Sequence, residues 1–146
     1  MGIIIRDFAP KDIERILDYR EESARVSFPD LMLDREKAKG FLLEHAEKHP
    51  GTIRVAELGG RLVGFVRFLP EKGSFGDYGI MDLIFVEEDF RKMGAGKALL
   101  QAAEEWFAAR GISRIEAVVT KTNAASLGFF KSNGYEEKRA VLQKKL

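Results

Sequence analysis

Cysteine is absent from the 146-residue chain, which excludes a disulfide framework, a thiolate nucleophile, a Cys-ligated zinc and an iron–sulfur cluster. The 2 histidines are too few for a His-rich metal site, so no metal is expected. Asn occurs only at positions 123 and 133 and Gln only at 101 and 143, a scarcity that fits selection against heat lability. No sign of charge dominates: 24 Lys and Arg face 23 Asp and Glu, for a net charge of +1. A dedicated nucleic-acid binder living on a positive field is thereby disfavoured, and no nucleic acid is expected as partner. No apolar run approaches a bilayer span. The opening Met1-Gly2-Ile3-Ile4-Ile5-Arg6 lacks the basic-then-apolar order of a signal peptide, and it places Arg6 where a myristoylation signal needs Ser or Thr. The expectation is a cytoplasmic protein without a membrane partner.

What is present is the balance of a globular chain, 45% hydrophobic and 32% charged, read as one domain over 1–146. Ile3-Ile4-Ile5 predicts a strand, and Pro10 and Asp12 open a helix carrying Ile13, Ile16, Leu17 and Arg20 at helical spacing. The pattern lapses around Phe28-Pro29-Asp30. Asp34 then caps a second helix with a buried stripe of Ala38, Phe41, Leu42 and His45. Two strands, 53–58 and 61–69, flank Gly59-Gly60, the signature of a tight hairpin, and a third covers 80–86. The clearest amphipathic helix follows Gly96, with Leu99, Leu100, Ala103, Trp106 and Phe107 on one face. A strand over 114–120, a helix capped by Asn123 and a last strand within 135–146 complete the order β-α-α-β-β-β-α-β-α-β. This predicts an α/β domain with a mixed, mostly antiparallel sheet flanked by helices.

The segment Arg91 to Gly96 lies between a strand and a helix, where the unpaired amides of the helix start face any nearby anion. Gly94 and Gly96 allow a phosphate to approach the backbone, and Arg91, Lys92 and Lys97 add positive charge. A Walker loop is excluded because Arg91 stands where it needs Gly and Ala98 where it needs Ser or Thr. A Rossmann fingerprint fails at Leu99.

Three blocks in this order resemble the GNAT superfamily of N-acetyltransferases. They are Leu83-Ile84-Phe85-Val86, then Arg91-Lys92-Met93-Gly94-Ala95-Gly96, which is similar to that family's pyrophosphate motif, and the stretch from Thr122 to Tyr135 containing Asn123, Ala124 and Gly134. The resemblance implies a GNAT-like fold and acetyl-CoA as co-substrate. It implies that Ile84, Phe85 and Val86 offer backbone groups to the pantetheine arm, and that Arg91, Lys92, Met93, Gly94, Ala95, Gly96 and Lys97 cradle the pyrophosphate. By the same resemblance Asn123, Ser126 and Phe130 lie along the cofactor, and Tyr19, Arg20, Arg25 and Phe28 fall in the stretch that commonly borders the acceptor.

Acetyl transfer to an amine needs a neutral nitrogen, so a group must take or guide a proton. Strand alternation puts Asp82 on one face with Ile80, Ile84 and Val86, a carboxylate among aliphatic side chains and the candidate base or ammonium-binding anion. Glu57, Glu87 and Glu88 are weaker candidates, the last two read as a solvated turn. The resemblance nominates the Val86 N–H for the oxyanion. The family's thiolate-protonating Tyr is replaced by Phe130, leaving water, Ser126, Tyr135 or no acid. His45 and His49 read as surface and helix-end residues. The leading expectation is an acyltransferase acting on a primary amine of a small molecule or peptide, by direct attack in a ternary complex. The alternative is a non-catalytic acyl-CoA-binding sensor or interaction module, and a homodimer stays open in either case.

Overall fold

The computed structural model describes residues 2–146. Strand β1 (Ile4–Asp7) leads through a 3-10 turn (Pro10–Asp12) into α1 (Ile13–Ser27), and α2 (Arg35–Lys48) follows. Next come β2 (Ile53–Leu58), β3 (Arg61–Glu71), β4 (Tyr78–Val86), a second 3-10 turn (Glu88–Met93), α3 (Ala95–Ala108), β5 (Ile115–Ala117) and α4 (Ala124–Ser132). The sheet runs β1-β2-β3-β4-β5, antiparallel throughout except for the parallel β4–β5 pair. Local chemistry sets several boundaries as expected. Asp34 accepts the Lys37 N–H at 3.0 Å, Asn123 accepts the Ser126 N–H at 3.1 Å, and Gly59 and Gly60 turn the hairpin at φ of 59° and 79°.

Each face of the sheet buries one apolar cluster. Val63, Val66, Phe68, Met81 and Val86 meet Leu99, Leu100, Ala103 and Phe107 of α3, with Phe130 of α4 joining them. On the opposite face Val55 and Phe65 meet Ile13, Ile16, Leu17 and Tyr19 of α1 and Ala38 and Leu42 of α2.

The expected last strand does not form, and 133–146 contains no helix or strand. The charged run from Glu136 to Arg139 breaks apolar alternation, and Val141, Leu142 and Leu146 stand exposed. Strand β5 is likewise shorter than expected, pairing only three residues with β4. Phe41, expected in the buried stripe of α2, is exposed, whereas His45 is buried as its place in that stripe predicts and not on the surface as expected of a lone histidine. Trp106 is half-buried: its ring packs edge-on against Phe68 and Phe107 while the Arg110 guanidinium covers it at 3.5 Å.

Candidate active site

The β4 strand organises the site through two irregularities. Pairing with β3 slips by one residue between Arg67–Leu83 and Phe68–Met81, which makes Asp82 the extra, bulged residue. Met81, Ile84 and Val86 consequently pack on the α3 side, while Leu83 and Phe85 pack on the α1–α2 side. Asp82 goes with the latter. Its Oδ2 lies 3.3 Å from Arg67 Nε, and its side chain is 38% exposed, so it keeps the face of Ile80 but does not share one with Ile84 and Val86 as alternation predicted. The bulge, invisible to a period of two, is the reason.

The second irregularity is a parting of strands. Glu87 N–H donates to Val63 O at 2.9 Å, and the register opposes Phe65 to Phe85 and Gly64 to Val86. Antiparallel alternation therefore joins Phe85 to Phe65 and turns the N–H and C=O of Ile84 and Val86 towards the other edge. There β5 pairs only with Gly79, Ile80 and Met81, so a gap opens beside Ile84 and Val86. Phe85 does not share that edge: its backbone serves β3, and its ring stacks on Tyr19 with centroids 4.8 Å apart.

Directly after this gap the chain forms the glycine turn. Arg91 Nε donates to Val86 O at 2.9 Å and its guanidinium lies over Phe85, tying the turn to the strand end. Gly94 adopts φ of 82°, a left-handed conformation that disfavours side chains, and a Cβ there would meet no atom within 4 Å. The first intrahelical bond of α3 runs from Ala98 N–H to Gly94 O, so the amides of Ala95, Gly96 and Lys97 have no partner in the helix. Gly96 has a second reason to be bare: a Cβ would sit 3.0 Å from the Phe129 ring. Lys92, Met93 and Lys97 are exposed around this turn. Open space over Gly94, unpaired amides and three basic side chains fit a pyrophosphate.

Helix α4 supplies the far wall. Ser126 is half-buried, and Phe130 is buried, edge-on to Phe129 and Tyr135 at 5.4 and 5.1 Å. Tyr135 directs its hydroxyl to Glu104 at 3.2 Å, and burial together with that carboxylate raises its pKa.

Two polar clusters escaped sequence reasoning. Glu87 is not a solvated turn residue: it binds Tyr19 Oη at 2.5 Å, Arg15 at 3.0 Å and Arg61 at 2.6 Å. Burial alone pushes its carboxyl up, but the Tyr19 and Arg15 hydrogen bonds and the charges of Arg15 and Arg61 prevail and hold it below the usual range. The Tyr19 hydroxyl is itself pushed up to about 12 by burial and by Glu87. In the second cluster buried His45 accepts from Arg67 Nε at Nδ1, 3.1 Å away, while Nε2 faces Thr52 Oγ1 at 2.8 Å and Phe68 O at 3.0 Å. Burial, then the Arg67 charge, lowers the His45 pKa to about 4. No local signal marks either cluster, since each joins residues more than twenty positions apart. Of the acceptor-border residues, Tyr19 is buried, Arg20 half-buried, and Arg25 and Phe28 exposed.

A mixed sheet that parts beside its fourth strand and runs straight into a glycine-led helix N-terminus is the architecture of an acyltransferase enzyme. The chain belongs to the acetyltransferase (GNAT) family, whose profile matches residues 13–135, and acetyl-CoA as acyl donor follows from that membership. It is 31% identical over 106 residues to an uncharacterized N-acetyltransferase of Bacillus subtilis, YhfO, with 71% of each chain covered. It is 32% identical over 108 residues to the L-2,4-diaminobutyric acid acetyltransferase of Nocardia farcinica, covering 73% of this chain and 54% of that one. The crystal structure of a GCN5-related N-acetyltransferase from Ralstonia eutropha superposes with a TM-score of 0.80 at 19% identity over 99% of both chains, a likeness of fold. No helix among the described residues is long and apolar enough to cross a membrane.

Proposed function

We propose that the protein transfers the acetyl group of acetyl-CoA to a primary amine of a small molecule or peptide, by direct attack in a ternary complex, as a single N-acetyltransferase domain. The observation that carries this reading is the parted sheet edge, where the Ile84 and Val86 backbone groups face a gap continuous with the amide-rich start of α3. Acetyl-CoA supplies an activated thioester. The amides of Ala95, Gly96 and Lys97, with Arg91 and Lys92, hold its pyrophosphate. The Ile84 backbone orients the pantetheine arm, and Asn123, Ser126 and Phe130 form the opposite side. Val86 N–H donates to the acetyl carbonyl oxygen, where negative charge develops. Asp82, four residues along β4 from Val86, draws the acceptor's ammonium, and water between them carries the proton to its carboxylate. The small amine named for the Nocardia relative supports an acceptor of this kind.

Thiol release from acetyl-CoA with a panel of diamines, amino acids, aminoglycosides and peptide N-termini tests the reading. Asp82→Asn lowers turnover by roughly ten-fold to ten-thousand-fold, with CoA affinity little changed. A rise confined to the acceptor's KM assigns Asp82 to ammonium binding alone. CoA raising the melting temperature with no amine acetylated identifies a sensor, the reading that Phe130 in place of a tyrosine favours.

A further inference from the structure

We propose that His45 is a positioning residue for Asp82: it takes the Nε hydrogen of Arg67 and so keeps that guanidinium from closing on the carboxylate that receives the acceptor's proton. The inference rests on the acetyl-transfer reading and adds one residue to it. Three side chains from three elements meet here. Arg67 of β3 lies between buried His45 of α2 and Asp82, the bulged residue of β4. Its Nε donates to His45 Nδ1 at 3.1 Å, whereas Asp82 Oδ2 stands 3.3 Å from the same nitrogen. That nitrogen carries a single hydrogen, and the imidazole holds it. Asp82 therefore feels the charge of Arg67 without sharing its Nε hydrogen, and no other nitrogen of Arg67 has a partner among the described residues.

Arg6 shows what a guanidinium does beside a carboxylate when no imidazole restrains it. Its Nη1 and Nη2 close on both oxygens of Asp12 at 2.8 and 2.9 Å, and its Nε binds Glu57 at 2.7 Å. A bidentate pair of this kind is strong and engages both carboxylate oxygens. The same closure at Asp82 would engage the lone pairs on which an incoming proton must land.

The partners of His45 fix its tautomer. Phe68 O, 3.0 Å from Nε2, can only accept. Thr52 Oγ1, 2.8 Å from Nε2, already gives its own hydrogen to His49 O. Nε2 therefore carries the imidazole hydrogen, and Nδ1 presents its lone pair to Arg67. Burial, then the Arg67 charge, lowers the His45 pKa to about 4, which keeps the ring neutral and that lone pair free near neutral pH. The register gives His45 a second hold on the same place. Arg67 and Phe68 flank the bulge on β3, so one imidazole grips both residues that frame Asp82. Arg20 of α1, a further cation near the pair, has no acceptor and cannot take over this restraint.

The test has two arms. NMR of the imidazole nitrogens in the natural chain should show a hydrogen-bearing Nε2 and a bare Nδ1, with a scalar coupling from Arg67 Nε to Nδ1 across the shared hydrogen. A hydrogen on Nδ1, or no coupling to Arg67, overturns the proposal. This arm needs no variant and so keeps the proposal falsifiable where a substitution prevents folding. The second arm is thiol release with the amine of the panel that turns over fastest. His45→Leu, which offers no acceptor, should lower kcat/KM for the amine by about ten- to hundred-fold, while KM for acetyl-CoA stays within about two-fold. His45→Gln, whose amide oxygen can accept from Arg67 while its NH2 donates to Phe68 O, should recover most of that loss. In an Arg67→Met background His45→Leu should have no further effect, because no guanidinium is left to restrain. Undiminished activity in His45→Leu, no recovery in His45→Gln, or losses that add across the two positions overturn the proposal and leave acetyl transfer standing. A natural chain that releases no thiol with any amine refutes acetyl transfer and, with it, the role of His45 in turnover, whatever the NMR arm shows.

Discussion

The two faces of the sheet are built on opposite principles. On the α3–α4 face the packing is apolar and aromatic, with Phe68 meeting Trp106 and Phe107 edge-on at 5.6 and 5.4 Å. On the α1–α2 face a smaller apolar cluster carries a polar layer: Tyr19 with Glu87, and His45 with Arg67 and Asp82. The first face stabilises the strand that flanks the gap and keeps it rigid. The second holds its charges in hydrogen-bonded and ion-paired groups drawn from several elements. Apolar packing and directed polar contacts thus lie on opposite sides of the same strands, and β4 contributes to both because its bulge sends neighbouring residues to different faces.

The largest expected effect breaks the apolar side. Phe68→Ala removes a fully buried ring and should destabilise by about 3–5 kcal/mol in urea unfolding. A loss no greater than that of Arg20→Gln would erase the distinction between the faces.

The next effect is a pH signature of the polar side. His45 titrates near 4 in the folded chain against an ordinary 6.5, so the unfolded chain binds more protons between those values. Its contribution to stability is complete above about pH 6.5 and is lost as pH falls towards 4, by up to about 3 kcal/mol. Unfolding free energies of wild type and His45→Gln, measured between pH 7 and 4.5, should converge as pH falls. Parallel curves would remove His45 from that role.

The smallest effect concerns Phe130, a buried residue of the apolar side. A thiol with pKa near 8.5 leaves as thiolate at pH 7 at a cost of about 2 kcal/mol relative to its protonated form. Phe130→Tyr should therefore alter turnover by less than about ten-fold, or 1.4 kcal/mol. A dead protein revived by the hydroxyl would make the sensor the natural state.

Legibility differed between the faces in the same way. The stripe of Leu99, Leu100, Ala103 and Phe107 is a local pattern of period 3.6 and appears in the structure as expected. Phe41 obeys the same pattern on α2 and is nevertheless exposed, because it borders an open pocket between α1, α2 and β3 instead of the sheet. Asp82 does not lie on the face of Ile84 and Val86 that alternation predicts, since one inserted residue reverses the faces of every residue after it. Glu87 was dismissed because its partners Tyr19, Arg15 and Arg61 are far away in the chain.

The sequence by itself determined the helix caps at Asp34 and Asn123, the Gly59-Gly60 hairpin and the glycine-led start of α3, because each depends on φ preferences and hydrogen bonds within a few residues. It also determined the family, through three blocks read in order. Tertiary structure alone decided that β5 leaves β4 after three pairs, that the tail forms no strand, and that Arg67 of β3 meets both Asp82 of β4 and His45 of α2. These are outcomes of ladder register and of side chains meeting across elements, and a chain's local pattern carries no term for either.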